Sequence, residues 1–412
     1  MEKRNVDLTP FILLGAHILS MLGFSTYAAL LPELRDLWRL SNSEAGVVAG
    51  MFFAGYIGTV SFWTALTDRI DARKVYLAGS LLGAAGGAGF GVFAGGFASA
   101  VFFQVFLGAG IAATYMPGLR LLSDSVSGPS QSRYIAFYTS FFGIGTAISL
   151  AIAGFVAPVH GWRSAFVWSA AGPLLAGLLV FFWIKPFSAE KSATALSLNS
   201  LFPVSAWRRV LANRACAGYT LGYAAHCLEL FGSRGWMVAF LAYSATLHSG
   251  ASFPWRFAVI AAVVNLVAVP ASILGNEIAL HIGRRRWILM VMTASGACGI
   301  ALALVAPWHW AAVLALLVVY SMLVMGESGT LTAGLVAAAP AGLRGAAMGL
   351  YSLTGFAGGM LGPVVFGAAL DAAGGERSPA AWAAGYAAIG AGCLAAPCLA
   401  RMFGRSVESR RS

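Results

Sequence analysis

Twelve apolar runs of membrane-spanning length constrain this chain more than any other feature of its sequence. A transmembrane helix needs about 20 consecutive, mostly apolar residues. The runs lie near 11–31, 44–66, 75–97, 100–122, 134–157, 164–184, 215–241, 257–280, 287–306, 310–336, 345–370 and 381–402. Only 10% of the 412 residues are charged, too few to cover a soluble fold of this size. The sequence therefore predicts an all-α polytopic membrane protein surrounded by a lipid bilayer.

Two pairs of runs have weak boundaries. Residues 95–99 separate the third run from the fourth, and residues 307–309 separate the ninth from the tenth, so each pair can also be read as one segment. The third run carries glycine at every fourth position, namely Gly79, Gly83, Gly87, Gly91 and Gly95. Small residues at this spacing predict close helix packing and require no ligand.

Basic residues are distributed unevenly between the loops. An even number of spans puts both termini on one side, and with the termini inside, 20 Lys and Arg fall on cytoplasmic segments and 6 on the opposite face. Cytoplasmic loops of membrane proteins carry an excess of positive charge. We therefore expect a protein of the cytoplasmic (inner) membrane with both termini cytoplasmic. The net charge of +11 lies in short clusters between runs, which argues against nucleic-acid binding.

The longest polar stretch lies between the sixth and seventh runs and divides them six and six. This pattern predicts an N-terminal six-helix bundle over 1–185, a cytoplasmic linker over 186–213 and a C-terminal six-helix bundle over 214–412. Within the linker, Trp207 and Arg208 either begin a short amphipathic helix on the membrane surface or belong to an irregular segment. We expect the protein to be a monomer.

Two motifs recur at half-length. Residues 68–74 read DRIDARK after the second run, and residues 275–286 read GNEIALHIGRRR after the eighth, which gives an offset of 212 from Arg73 to Arg285. The glycine-rich fifth and eleventh runs end at Gly154 and Gly367, an offset of 213. Two matches at one offset favour an internal duplication, which is common in transporter folds.

These motifs resemble those of the major facilitator superfamily over nearly the whole chain. Leu66-Thr67-Asp68-Arg69 with Arg73-Lys74 is similar to its loop signature, although Asp71 replaces the usual glycine. Residues 161–166, GWRSAF, resemble its junction before the sixth span. The resemblance implies twelve transmembrane helices in two six-helix bundles and secondary transport.

The resemblance also implies an inter-domain lock on the cytoplasmic side, with the alternative that these charges serve only topology. The lock residues are Asp68, Arg69 and Arg73, with Glu277, Arg284 and Arg285 from the second copy of the motif. The sequence departs from the family's proton-coupled drug exporters, because Gln104 stands where they carry arginine and the fifth run has no Gly-Pro pair. Both departures disfavour drug antiport.

Charged groups inside membrane spans are costly and usually face a cavity or a partner. His226 and Glu229 lie three residues apart in the seventh run and share one helical face, with Arg234 expected at the outer interface. Glu327 lies in the tenth run in the sequence Gly-Glu-Ser-Gly-Thr, which suggests a cavity wall or a helix break. These groups either couple protons and bind substrate, or form internally satisfied polar contacts.

Four further residues are weaker candidates for the substrate site. Arg120 either binds an anionic substrate or extends to the lipid headgroups. Tyr27, Tyr115 and Asn265 either line the site or pack between helices.

The sequence favours a secondary transporter that moves a small polar or anionic organic solute by alternating access, with protons as a candidate coupling ion and symport as the expected mode. A multidrug or metabolite efflux antiporter and a non-transporting sensor or assembly protein remain alternatives. No Gly-Lys dipeptide occurs, so a P-loop is absent, and no catalytic motif favours an enzyme. The five cysteines show no metal-binding or disulfide spacing, so we expect no metal or cofactor.

Overall fold

The computed structural model describes residues 8–126, 129–186, 201–247, 253–340 and 342–399. Every regular element in these ranges is a helix, and no strand occurs in them. The helices of the first part are α1 (Thr9–Ser20), α2 (Thr26–Trp38), α3 (Asn42–Leu66), α4 (Ala72–Phe93), α5 (Phe97–Ser125) and α6 (Pro129–Trp183). Those that follow are α7 (Val204–Ala212), α8 (Arg214–Thr246), α9 (Phe257–Ile282), α10 (Arg284–Val305), α11 (Trp310–Gly326), α12 (Ser328–Ala338), α13 (Arg344–Ala372), α14 (Pro379–Leu394) and α15 (Ala396–Leu399).

Eight helical segments in the described part of the chain are long and apolar enough to cross a membrane. They are 42–66, 72–93, 97–125, 133–183, 257–282, 284–305, 310–338 and 344–372. The prediction of an all-α protein with many membrane spans is therefore confirmed, whereas the exact number of twelve stays a prediction. The third and fourth runs are separate helices, as are the ninth and tenth.

Four predicted runs differ from simple, separate straight helices. The fifth and sixth runs are two helices within the range of α6 that meet at a kink at Gly161, where φ is +82°. A positive φ of this size is cheap only for glycine. The first run is divided into α1 and α2, and the tenth is divided at Glu327 into α11 and α12. Interrupted membrane helices commonly lie next to binding sites, because their free backbone groups need buried partners.

The chain forms two compact units. Unit 1 comprises Met1–Tyr27 and Ala54–Phe202, and unit 2 comprises Ala28–Phe53 and Pro203–Ser412. The helix pair around residues 28–53 thus packs with the second part of the chain, although it lies within the predicted N-terminal bundle. The predicted boundaries at 185 and 214 stay a prediction.

The glycine stripe of α4 packs closely inside unit 1. A Cβ atom added at Gly79 would lie 2.9 Å from the carbonyl oxygen of Gly110 on α5, and one at Gly91 would lie 2.7 Å from the carbonyl oxygen of Arg163 on α6. Such distances are too short for a real side chain, so glycine is required for these backbones to approach. Gly95 follows the end of α4 and has open space around its Cα.

The linker region contains one helix among its described residues. The helix α7 includes Trp207 and Arg208, which supports the helical alternative for this segment. It ends at Ala212, and the side chain of the next residue, Asn213, caps α8 by accepting hydrogen bonds from the backbone N–H groups of Ala215 and Cys216. Residues 187–200 of the predicted linker and the predicted cytoplasmic termini 1–7 and 400–412 lie outside the described residues.

Candidate functional site

The first pair of predicted site residues meets in the interior of unit 2. His226 on α8 and Glu327 at the α11–α12 junction are joined by a hydrogen bond of 3.1 Å between Nδ1 and Oε1. Their exposed fractions are 1% and 0%. The sequence placed both residues in membrane spans, and the fold brings together side chains that are 101 positions apart.

Glu229, one turn beyond His226, has a different set of partners. Its Oε2 accepts a hydrogen bond of 2.8 Å from the hydroxyl of Ser295 on α10, and its Oε1 accepts one of 3.2 Å from the hydroxyl of Tyr320 on α11. The carboxyl group is fully buried. Sequence reasoning missed Ser295 and Tyr320, because hydroxyl residues are frequent in membrane helices and nothing in their local sequence singles them out.

Glu327 occupies the point where the tenth predicted run is interrupted. The helix α11 ends at Gly326 and α12 begins at Ser328. The freed carbonyl of Gly326 accepts a hydrogen bond of 2.9 Å from the Trp287 indole N–H. The helix is thus interrupted at this one residue, whose backbone angles stay in the helical region (φ −94°, ψ −20°). Oε2 of Glu327 is buried and has no hydrogen-bond partner among the described residues.

Together these residues form what we call the acidic cluster: His226, Glu229, Glu327 and Cys393. Ligand-type atoms of Glu229, Glu327 and Cys393 lie within 4.8 Å of one another. Two ionised carboxylates this close would repel strongly in an apolar interior, so the arrangement favours uptake of a proton or a cation. These three side chains are also of the types that ligate metal ions, although their spacing in the sequence shows no metal-binding pattern.

Arg234 belongs beside this cluster. Its Nη2 lies 3.4 Å from Sδ of Met325, the residue just before the Gly326–Glu327 interruption. The Arg234 side chain is half-buried in unit 2, and its expected position at the outer interface stays a prediction.

Unit 1 also buries a histidine that was not among the residues predicted from the sequence. His17 on α1 is fully buried and stacks on Tyr138 of α6, with ring centroids 4.1 Å apart. The ring of Tyr115 on α5, a predicted site residue, lies 5.3 Å away. We call these three residues the aromatic centre. A histidine inside the predicted run 11–31 was a signal that could have identified it.

The two centres are related by the internal repeat. The offset from His17 to Glu229 is 212, as is the offset from Tyr115 to Glu327, and Tyr138 precedes Tyr351 by 213. These values equal the offsets of the loop motif and the glycine-rich runs. In unit 2, Tyr351 stacks on Tyr223 at 3.8 Å, and Tyr223 in turn lies 5.6 Å from the ring of His226.

Tyr27 and Asn265 have described contacts outside both centres. The ring of Tyr27 packs edge-on against Phe90 with centroids 6.1 Å apart. The amide of Asn265 donates a hydrogen bond of 2.7 Å to the carbonyl of Ala261 in its own helix. These contacts fit the alternative that both residues pack between helices, and a role in the site stays a prediction.

Arg120 lies among charged residues of unit 1. Its Nη1 forms an ion pair with Asp68 and donates a hydrogen bond of 2.9 Å to the Thr67 hydroxyl, and its Nε lies 3.6 Å from Asp124. The two alternatives drawn from the sequence, a bound substrate and the lipid headgroups, both stay predictions. Substrate binding by Arg120 stays a prediction that would require these ion pairs to open.

The predicted lock residues of the first motif make their described contacts inside unit 1. Arg73 pairs with Asp71 at 2.6 Å and donates a hydrogen bond of 2.7 Å to the carbonyl of Ile184. Asp71 also accepts from the backbone N–H of Arg73 and so caps α4, which explains how the aspartate replaces the usual glycine. Burial alone would raise the pKa of Asp71, but its hydrogen bonds and ion pair with Arg73 lower it below the ordinary value.

The other predicted lock residues are Arg69 of the first motif and Glu277, Arg284 and Arg285 of the second. Arg69 donates to the carbonyl of Ala65 at 3.2 Å. Glu277 is exposed, and no salt bridge involving its carboxylate occurs within the described ranges. The Nε of Arg284 is buried without a hydrogen-bond partner there, and Arg285 is half-buried. The inter-domain lock stays a prediction.

Unit 2 contains a polar connection that sequence reasoning did not find. Asp371 near the end of α13 accepts hydrogen bonds from the backbone N–H groups of Asn42 and Ser43, at 3.2 and 2.7 Å, and also from both side chains. Its carboxylate therefore caps the first turn of α3 from a distance of more than 300 residues. Arg35 on α2 forms a salt bridge with Glu376 beyond α13.

A surface cleft of about 580 Å³ lies at the same end of unit 2. It is lined by Arg35, Asp36, Arg39, Leu40, Ser41, Asn42, Gly374, Gly375, Glu376 and Arg377. None of the predicted site residues lines it. The cleft is a depression that faces solvent. The buried ionisable and polar side chains lie instead in the acidic cluster and the aromatic centre.

Comparison with known proteins identifies the architecture. A model of the Major Facilitator Superfamily matches residues 13–363. YyaJ of Bacillus subtilis (strain 168), named as a metabolite transport protein, is 30% identical over 169 residues, which is 39% of this chain and 34% of YyaJ. The niacin transporter NiaP of Acinetobacter baylyi is 25% identical over 140 residues, 34% of this chain and 32% of NiaP. The chain thus matches about a third of the length of each.

The structural comparison extends over the whole chain. A bacterial homologue of the human lysosomal transporter Spinster, in an inward-facing and unoccupied conformation, superposes with a TM-score of 0.74. The match covers 97% of both chains at 16% sequence identity. At this identity, the likeness establishes the fold alone.

Proposed function

This chain belongs to the Major Facilitator Superfamily, and from that premise we propose that it is a proton-coupled secondary transporter of a small polar or anionic organic solute. Transport proceeds by alternating access between the two halves of the chain. The proposed arrangement has twelve membrane spans, with six in 1–185 and six in 214–412 joined by the linker 186–213. The protein is a monomer of the inner membrane with cytoplasmic termini, and it is not an enzyme.

The acidic cluster is the observation that carries the proton-coupling proposal. It contains two carboxyl groups, Glu229 and Glu327, that are fully buried and close together. A buried carboxyl group exchanges a proton with the solution only when the protein opens a path to it, which is the requirement for coupling. The hydrogen bond between His226 and Glu327 joins this carboxyl group to a second titratable side chain, through which the proton can pass.

The relatives support a small organic solute as the substrate. YyaJ is named for metabolite transport and NiaP for niacin transport. We assign Tyr115 to the substrate site because it belongs to the aromatic centre, and we keep Arg120, Tyr27 and Asn265 as weaker candidates. Asp68, Arg69 and Arg73, with Glu277, Arg284 and Arg285, are the proposed lock on the cytoplasmic side.

Transport by purified protein in liposomes tests the proposal. Proteoliposomes that contain a pH-sensitive dye receive nicotinate, benzoate, lactate or glycerol 3-phosphate in turn, with and without an imposed pH gradient. We expect at least one solute to accumulate against its gradient and to move protons with it. Glu327→Gln and Glu229→Gln keep the side-chain shape but remove the exchangeable proton, so they should abolish accumulation while exchange of labelled for unlabelled solute continues.

Glu33→Gln is the matched control, because Glu33 is an exposed glutamate of unit 2 and should leave coupling unchanged. Absence of solute exchange and of proton flux for all four solutes would reject the transport proposal. Full accumulation with an unchanged pH dependence in both buried variants would retain transport but reject proton coupling through the acidic cluster.

A further inference from the structure

His17 is a buried polar side chain whose ring nitrogens form no hydrogen bond among the described residues. Its exposed fraction is 0%, and neither Nδ1 nor Nε2 has a hydrogen-bond partner among the described residues. A neutral imidazole carries one N–H donor and one acceptor, and a charged one carries two donors. Leaving such groups unpaired in an apolar interior is costly, so each case requires an explanation.

The surroundings of His17 are aromatic. Tyr138 stacks on its face at 4.1 Å and an interplanar angle of 17°, and Tyr115 lies at 5.3 Å with its ring tilted by 58°. The Tyr138 hydroxyl donates a hydrogen bond of 3.0 Å to the backbone carbonyl of Tyr115 and is therefore already satisfied. Phe142 lies edge-on to Tyr115 at 6.2 Å and extends the aromatic surface. Within the aromatic centre, the buried atoms without a described hydrogen-bond partner are the two ring nitrogens of His17.

The interruption of the first predicted run lies next to His17. The helix α1 ends at Ser20 and α2 begins at Thr26. The backbone N–H of Ser25 in the interruption donates to the Ser149 hydroxyl at 3.0 Å, so the broken backbone is stabilised by side chains of unit 1. A broken membrane helix that is held by buried polar contacts is the kind of element that forms solute sites in transporters.

The repeat gives a reason to treat the aromatic centre as a site and not as ordinary packing. Its residues stand 212 or 213 positions before Glu229, Glu327 and Tyr351. In unit 2 the corresponding positions hold one tyrosine and two glutamates that form hydrogen bonds with His226, Ser295 and Tyr320. In unit 1 they hold two tyrosines and one imidazole without a hydrogen-bond partner among the described residues. The two units thus offer different chemistry at equivalent points, ionisable in one and aromatic in the other.

We propose that the aromatic centre binds the solute, and that the solute is a small planar aromatic or heteroaromatic compound with a hydrogen-bonding substituent, such as an acid or an amide. The His17–Tyr138 stack leaves no space between the two rings, so the solute reaches the imidazole at its edge, where the nitrogens lie, once the side chains that bury this edge move aside. Its substituent bonds to His17 and its ring packs on Tyr115 and Phe142. This inference rests on the proposed function as a transporter.

Ligand binding to the purified full-length protein tests the inference. Nicotinate, nicotinamide and benzoate are compared with cyclohexanecarboxylate, which has a similar size and a carboxylate but no planar ring. We expect at least one aromatic probe to bind about tenfold or more tightly than cyclohexanecarboxylate, by calorimetry and by thermal shift. His17→Phe should weaken that binding about tenfold or more, because it keeps a ring but removes both nitrogens.

Two further variants separate binding from folding. His17→Gln retains a donor and an acceptor and should recover part of the affinity that His17→Phe loses. His160→Phe alters an exposed histidine of unit 1 and should bind the aromatic probe as the unaltered protein does. Equal binding of cyclohexanecarboxylate, unchanged binding by His17→Phe, or no binding of any aromatic probe would overturn the inference.

The outcome also remains distinct from that of the proposed function. If proteoliposomes accumulate lactate or glycerol 3-phosphate and no aromatic compound, the protein is a transporter and only the aromatic class is wrong. If no solute moves at all, the proposed function itself fails.

Discussion

The two units bury polar groups in opposite ways. In unit 2, His226, Glu229 and Glu327 lie in a network with Ser295 and Tyr320. In unit 1, His17 is equally buried but is surrounded by aromatic rings and has no hydrogen-bond partner among the residues described. Because the two places correspond in the internal repeat, the difference shows that one helical framework can carry either an ionisable or an aromatic centre.

The two units also differ in what their buried polar groups contribute to the stability of the fold and to the binding of a ligand. Hydrogen bonds such as those of Glu229 and His226 stabilise the fold, whereas a buried polar group with no partner destabilises the empty protein and gains most when a ligand arrives. We therefore expect the same substitution to have opposite consequences in the two units.

The largest expected effect comes from replacing each buried histidine by phenylalanine. His226→Phe leaves the Glu327 carboxyl without its one described hydrogen bond, so it should lower the free energy of unfolding by about 1–3 kcal/mol. His17→Phe removes two unpaired nitrogens from an aromatic stack and should leave stability unchanged or raise it. Thermal unfolding of both variants in one detergent measures the difference, and an equal loss in both would refute the contrast between the centres.

A second prediction concerns how helices of each unit begin. Asp371→Ala removes a carboxylate that caps α3 from α13, so it should cost about 1–2 kcal/mol and increase amide hydrogen exchange in residues 42–46. Asp36→Ala, whose side chain is 74% exposed, is the control and should change stability by no more than about 0.5 kcal/mol. Unchanged exchange in the Asp371 variant would show that the connection contributes nothing to holding residues 28–53 in unit 2.

The smallest expected effect is the pH dependence contributed by Asp71, the local cap of α4 in unit 1. Because the pKa of Asp71 is lowered from its ordinary value of 3.8, the carboxylate adds stability that is fully present above that pH. This contribution disappears as the pH falls through the lowered pKa. The Tm difference between the unaltered protein and Asp71→Asn should therefore shrink below about pH 4. A difference that stays constant down to pH 3 would contradict it.

Much of the fold could be read from the sequence. The number of charged residues, the length of the apolar runs and the glycine stripe of α4 depend on local composition and spacing, and lipid imposes a helical solution on any such chain. Glu327 was identified for a related reason, because an acid between glycines in an apolar run is costly and breaks the helix. The close helix contacts at Gly79 and Gly91 follow from the four-residue spacing of glycine in α4.

The site was only partly readable, because its members are distant in the chain. Sequence alone found His226, Glu229, Glu327 and Tyr115, but it missed His17, Ser295 and Tyr320. It gave Arg120 a solute or headgroups as partners, whereas the ion pair with Asp68 depends on the packing of α5 against the end of α3. A side chain's partners are set by helix rotation and tilt, which apolar periodicity in a membrane does not specify.

The sequence by itself determined a helical membrane protein with a weak internal repeat, since bilayer thickness and backbone hydrogen bonding allow few other solutions. Only the tertiary structure decided that residues 28–53 pack with the second part of the chain, and that equivalent positions hold an acidic cluster in one unit and an aromatic centre in the other. The physical reason is that contacts between helices depend on the shapes and polar groups of several segments at once, and no single segment carries that information.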